Sequence, residues 1–105
     1  MSENFDQDLT FDWDKENIGK NWVKHKVTNK ESEEVFLDPK VIISEDTKHS
    51  QTEKRWLILG KTKNDKYLAL IFTKRDSKVR IISARVMNKK EKRLYEKEIA
   101  TNSKI

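Results

Sequence analysis

Arg85 is followed by Lys89, Lys90, Glu91, Arg93 and Tyr95, where a short apolar run gives way to a polar segment. A guanidinium can hold a phosphate through two parallel hydrogen bonds. Lysines in the first turn of a helix add charge beside exposed backbone N–H groups, which together suit an anion. The arrangement has a cost, because exposed cations there oppose the helix dipole by roughly 0.3–1 kcal/mol each. From Lys74 to Arg93, nine Lys or Arg stand against two acids, Asp76 and Glu91. Either water screens this charge or something anionic binds it.

Other side chains could join such chemistry. His25, between Lys24 and Lys26, is a candidate general acid or base near neutral pH; the plainer reading is a cation at a helix C-terminus. Ser83 shares strand parity with Arg85, so the two pair on one sheet face. On a flat strand Arg80 falls on the opposite face and reads as an ion-pair or edge residue. Tyr95 serves either the core or base stacking. Lys54 and Arg55 follow the loop that carries His49. RNA cleavage without a metal needs a base for the 2′-OH proton, cations on the pentavalent phosphate and an acid for the leaving 5′-oxygen. A basic site with one His or Tyr is chemically sufficient, and the electrostatic part can be the largest.

Composition narrows the alternatives. The 105 residues carry no Cys and two Gly, which leaves no thiolate metal site and no glycine-rich phosphate loop. There is no HExxH motif, and His25 and His49 lie too far apart in sequence to claim as a metal pair. No metal and no cofactor is therefore expected. No apolar stretch approaches ~20 residues, and the N-terminus has acids but no apolar signal-peptide core. A cytoplasmic protein with no membrane partner is the expectation. The net charge of +5 hides an asymmetry. Residues 1–53 hold 7 Lys/Arg and 13 Asp/Glu, whereas residues 54–105 hold 16 and 5. The second half is the part expected to meet an anionic partner.

The elements that must position these residues follow from pattern. Leu9, Phe11 and Trp13 alternate as a short strand, Asp14 caps a helix over 15–25, and Ile18, Trp22 and His25 share one face of it. Thr28 and Glu31 form a capping box for a second helix, which ends at Pro39. Strands are expected at 41–43, 55–60, 67–73 and 79–86, with a hairpin turn at Asn64-Asp65. Asn88 and Glu91 open the last helix, with Leu94, Tyr95 and Ile99 as its apolar stripe. The order is β-α-α-β-β-β-β-α: one α+β domain over 9–100, an antiparallel meander with helices packed on one face. Residues 1–8 and 101–105 read as frayed tails.

Three segments in this order, FDWDKENIGKNWVKHKV, DPKVIISEDTKHSQTEKRWLILG and LALIFTKRDSKVRIISARVMNKKEKRLYE, resemble the BrnT family of toxins over about residues 11–96. The resemblance implies a RelE-like fold and an endoribonuclease toxin of a type II toxin–antitoxin pair. It implies a BrnA-type ribbon-helix-helix antitoxin that neutralises the toxin and reaches operator DNA as part of the complex. By motif it points to His25 in KH, Arg85 in ISAR, and Glu91 and Tyr95 in KKEKRLYE as the catalytic candidates. Lys54, Arg55, Ser83, Lys89, Lys90 and Arg93 are the RNA-binding candidates. The chain departs from the family at Lys26, where members often carry Gly, and at Val86, where they often carry another basic residue. The alternative is a non-catalytic RNA- or protein-binding module that uses the same basic half.

Overall fold

Two adjacent residues with positive φ, Asp76 (52°) and Ser77 (69°), reverse the chain between its two longest strands. A two-residue loop with φ > 0 at both positions matches the twist of the strands it joins. In the computed structural model, which describes residues 9–49 and 52–102, these strands are β3 (Tyr67–Arg75) and β4 (Lys78–Val86). With β1 (Ile42–Glu45) and β2 (Arg55–Lys61) they form an antiparallel sheet in the order β1-β2-β3-β4. The helices are α1 (Lys20–His25), α2 (Asn29–Val35) and α3 (Lys89–Asn102), with a 3-10 turn at Thr47–His49. The α+β meander expected from the sequence is present. The tail expected at 1–8 lies outside the described residues, as does 103–105, while α3 runs on to Asn102.

The first expected strand does not form. Leu9 to Trp13 makes a single parallel bridge, Phe11 to Val79, held by Asp12 N to Val79 O and Val79 N to Thr10 O, each 2.8 Å. The expected helix over 15–25 is also shorter. Gly19 stands at φ 77° and divides it into a turn and the six residues of α1. Its burial is inverted: Asn17 and Asn21 are buried, while Ile18 and Trp22 are exposed. The reason is the bare edge of β4. Asn17 Nδ2 donates to Ile81 O at 3.3 Å, Lys20 Nζ donates to Ile82 O at 3.2 Å, and Asn21 Oδ1 accepts from Ala84 N at 3.0 Å. Unpaired backbone groups on an edge strand need partners, and here polar side chains supply them.

Lys26 ends α1 at φ 58°, with its N–H on the carbonyls of Asn21 and Trp22. That is the left-handed closing position where glycine is usual. The capping box of α2 forms as expected, with Thr28 and Glu31 bonding each other's backbone.

The sheet buries both faces, unevenly. One face carries Ile58, Leu68, Leu70, Phe72, Val79, Ile81 and Ala84, packed with Val27, Val35 and Phe36 from α2 and its flanks. Gly60 lies under α2, where an added Cβ would meet Val35 at 2.7 Å. The opposite face buries Leu59 and Ala69 beneath Tyr95 of α3. The helices are thus divided between the faces rather than gathered on one. Only Met87 and Asn88 separate β4 from α3, and the apolar row Ile42–Leu59–Ala69 needs a cover.

Candidate nucleic-acid interface

A β-bulge decides which side chains share the partly uncovered face. Ile71 pairs with Ser83, but Phe72 pairs with Ile81, so Ile82 is an extra residue in β4. A bulge of this kind shifts every later residue to the other face. Val79 and Ile81 accordingly join Ala84 in the α2-covered core. The flat-strand separation of Arg80 from Arg85 is therefore corrected: Arg80, Ser83 and Arg85 lie on one face.

The register arranges that face in three rows. The first is Ile42–Leu59–Ala69–Arg85, covered by Tyr95 except at Arg85. The second is Ser44–Leu57–Ile71–Ser83, whose last three residues are half-buried. The third is Arg55–Thr73–Arg80. Successive rows are two residues apart, about 7 Å at strand rise. The result is a shallow strip of Leu57, Ile71 and Ser83 with arginine on both margins.

Arg85 is held by one carboxylate, with a longer 3.4 Å bond from Nη1 to Val86 O beside it. Its Nη1 and Nη2 donate to Glu91 Oε1 and Oε2 at 2.7 and 2.9 Å. Glu91 is fixed in turn, because Oε1 accepts from Asn88 N at 3.0 Å and Glu91 N donates to Asn88 Oδ1 at 2.8 Å. The capping box expected at Asn88 and Glu91 therefore also aims the carboxylate at Arg85. The Arg85 hydrogen bond is the main reason the Glu91 carboxyl stays below its usual range, with the Asn88 N–H adding to it against the effect of burial. The same bond pushes the guanidinium of Arg85 up. The Arg85 side chain remains 39% exposed, so it can meet a ligand while it is clamped.

Tyr95 is 0% exposed. Its ring meets Tyr67 edge-on at 5.6 Å, and its hydroxyl donates to Asp38 Oδ2. Burial first, then the Asp38 carboxylate, push the phenol well above its usual range. Of its two readings, core packing is the one the structure places. Asp38, marked in the sequence only as the residue before Pro39, also accepts from Lys61 N and Lys40 N, each at 2.9 Å. It ties α3 to the end of β2.

The remaining candidates divide. Lys89 and Lys90 are exposed at the start of α3, and Arg93 is exposed one turn on. Arg55 lies on the far margin of the strip. Lys54 points elsewhere: its Nζ sits 3.7 Å from Glu45 and 5.8 Å from the centre of the Trp56 ring, and Trp56 packs with the α2-covered core. His25 is half-buried, and its side chain has no hydrogen-bond or ionic partner among the described residues. The contacts of Asn17 with Ile81 and of Asn21 with Ala84 advance along β4, carrying the last turn of α1 toward the Arg85 end. A cleft of about 300 Å³ beside the β2–β3 turn, lined by Glu34, Leu37, Asp38 and Lys61 among others, contains none of the candidate residues. Among the described residues no three His, Cys, Asp or Glu side chains are grouped to hold a metal, and no helix is long and apolar enough to cross a membrane.

A clamped arginine beside a strip with cations on both margins is a surface that can seat a phosphodiester chain. No curated protein matches the chain. The family described as the ribonuclease toxin, BrnT, of type II toxin-antitoxin system matches residues 13–91, a span that holds Arg85, Glu91 and His25. The chain belongs to the BrnT family of ribonuclease toxins.

Proposed function

We propose that this toxin is a cytoplasmic endoribonuclease that cleaves RNA without a metal ion and so blocks translation. We propose further that a BrnA-type ribbon-helix-helix antitoxin neutralises it and carries it to operator DNA. The Arg85–Glu91 pair is the observation that carries the reading. In this mechanism the 2′-oxygen attacks the adjacent phosphorus while the bond from phosphorus to the 5′-oxygen breaks. The base takes the 2′-OH proton, and an acid returns one to the 5′-oxygen. The products are a 2′,3′-cyclic phosphate and a 5′-hydroxyl. Arg85 holds the non-bridging oxygens as charge builds on them, a preorganised form of electrostatic stabilisation. Glu91, kept ionised by Arg85, is a poor base and acts by holding the guanidinium in place. His25 is the candidate for proton transfer. Tyr95 acts through position, as the residue that seats α3. Ser83, Lys89, Lys90, Arg93 and Arg55 bind the flanking chain, and Lys54 contributes long-range charge.

The test is cleavage of single-stranded RNA by purified protein in EDTA. Activity that persists, and that stops when the cognate antitoxin is added in equal amount, is the expected result. Loss in EDTA with recovery in Mg²⁺ would overturn the metal-free chemistry. RNA binding without cleavage in either condition would favour the non-catalytic module.

A further inference from the structure

α1 is built inside out. The stretch turns Asn17 and Asn21 toward β4 and leaves its apolar residues in water: Ile18 is 53% exposed, Trp22 50% and Val23 78%. Each forgoes part of the ~1.5–3 kcal/mol that full burial of such a side chain contributes; the β4 edge explains why Asn17 and Asn21 face inward, but not why the outward positions are apolar. Lysines flank the apolar residues in sequence. Lys15, Lys24 and Lys26 are exposed, and Lys26 Nζ lies 5.2 Å from the centre of the Trp22 ring, while Lys20, also exposed, reaches back to Ile82 O. The two acids at the start of the segment, Asp14 and Glu16, are turned to Arg80.

We propose that Ile18, Trp22 and Val23, within this lysine rim, are the docking seat for the antitoxin, and that the segment seated there is amphipathic with Asp or Glu beside its apolar side. The proposal rests on the reading that a protein antitoxin neutralises this chain. A central tryptophan inside a polar, solvent-accessible rim is the arrangement of an interface hot spot, and the lysines there favour an acidic partner. A second copy of the chain fits poorly, because a two-fold contact would bring two lysine rims together. RNA could stack on Trp22 and pair with the lysines, but it has no use for Ile18 and Val23. The seat is also placed to matter: a segment lying on α1 and continuing past His25 runs toward Arg85.

The experiment titrates the purified cognate antitoxin against wild type, Trp22→Ala, Val23→Glu and Lys24→Glu, and assays RNA cleavage and melting for each free protein. The three variants are expected to keep their cleavage rate and Tm. Trp22→Ala and Val23→Glu are expected to weaken antitoxin binding about 30-fold or more, the scale of a hot-spot residue, and Lys24→Glu to weaken it by less. Wild-type affinity in both Trp22→Ala and Val23→Glu overturns the proposal. So does a loss of RNA affinity with antitoxin binding intact, which assigns the patch to RNA. So does a wild-type dimer in sedimentation that Val23→Glu dissociates without touching antitoxin affinity, which assigns it to a second copy. Patch variants that lose antitoxin binding while wild type cleaves no RNA would leave the docking seat standing and remove the ribonuclease mechanism alone.

Discussion

Arg80 and Arg85 lie on one strand and one face, and each grips a carboxylate with two nitrogens. Arg80 donates to Asp14 at 2.9 and 3.2 Å, with Asp12 at 3.6 Å and Glu16 at 3.5 Å nearby. It is 5% exposed. Arg85 has a single carboxylate, Glu91, and its side chain keeps far more contact with water. The difference lies in where the carboxylates come from. Those at Arg80 belong to the N-terminal segment, so the pair fastens that segment to β4. The one at Arg85 caps the adjacent helix, so the pair fixes the arginine itself. The same ion-pair chemistry makes a fastening in the first case and a presented cation in the second.

That contrast can be broken by exchange. Arg80→Ala should lower Tm by about 10 °C, the effect of roughly 2 kcal/mol in a domain of this size. The loss is held below the range for fully buried pairs because Asp14 and Glu16 retain water. Arg85→Ala should shift Tm by only a few degrees. Equal thermal losses for the two variants would show that both arginines are fastenings.

Glu91→Gln sharpens the point. The folded Glu91 carboxyl titrates below its unfolded value, so its contribution to stability is complete above about pH 4.5 and fades as pH falls through the lowered value. The variant should be less stable than wild type at neutral pH by about 1 kcal/mol, and the two should converge as pH falls below about 4.5, where the lowered Glu91 carboxyl takes up its proton. Denaturant melts across that range check it. Asp14, Glu31 and Glu53 are held low as well, so both proteins should still lose stability in acid. Parallel curves would mean that Glu91 is not coupled to Arg85 in solution.

Changing Lys89 and Lys90 together to Gln should reduce the salt dependence of single-stranded RNA binding by about 1.4 in log–log slope, roughly 0.7 per phosphate contact. Stability should hold or rise slightly, since cations no longer face the helix dipole. An unchanged slope would remove both lysines from the RNA path. The smallest effect concerns the end of α1. Lys26→Gly should raise stability by up to about 1 kcal/mol, because a left-handed residue with a Cβ gives way to one without. A loss would show that the Lys26 contact with Trp22 outweighs the backbone term.

What the sequence disclosed follows from the range of the interactions. Thr28 with Glu31, Asn88 with Glu91, and the four sheet strands rest on neighbours within a few residues, and all were legible. Arg85 could be singled out from the charge around it. The bulge at Ile82 could not, because alternation runs unbroken through Val79 to Val86 and only the pairing with β3 shows the extra residue. That one residue put Arg80 on the wrong face. The apolar stripe of Ile18 and Trp22 misled for a related reason: the edge of β4 needed hydrogen-bond partners, and that demand comes from more than sixty residues away. Asp38 was visible only as the residue before a proline, since its partners Lys61 and Tyr95 are distant in sequence.

The most direct measurement is single-turnover cleavage of one RNA, in EDTA, by wild type, Arg85→Ala and Arg85→Lys, each shown to be folded by its melt. The mechanism predicts a loss of about 10²–10³-fold for Arg85→Ala, the scale of removing one preorganised donor from a developing oxyanion. It predicts partial recovery for Arg85→Lys, where a point charge replaces a planar fork. Folded Arg85→Ala that cleaves at the wild-type rate would contradict the account, and the basic end of the sheet would then be a charged surface rather than the site of the reaction.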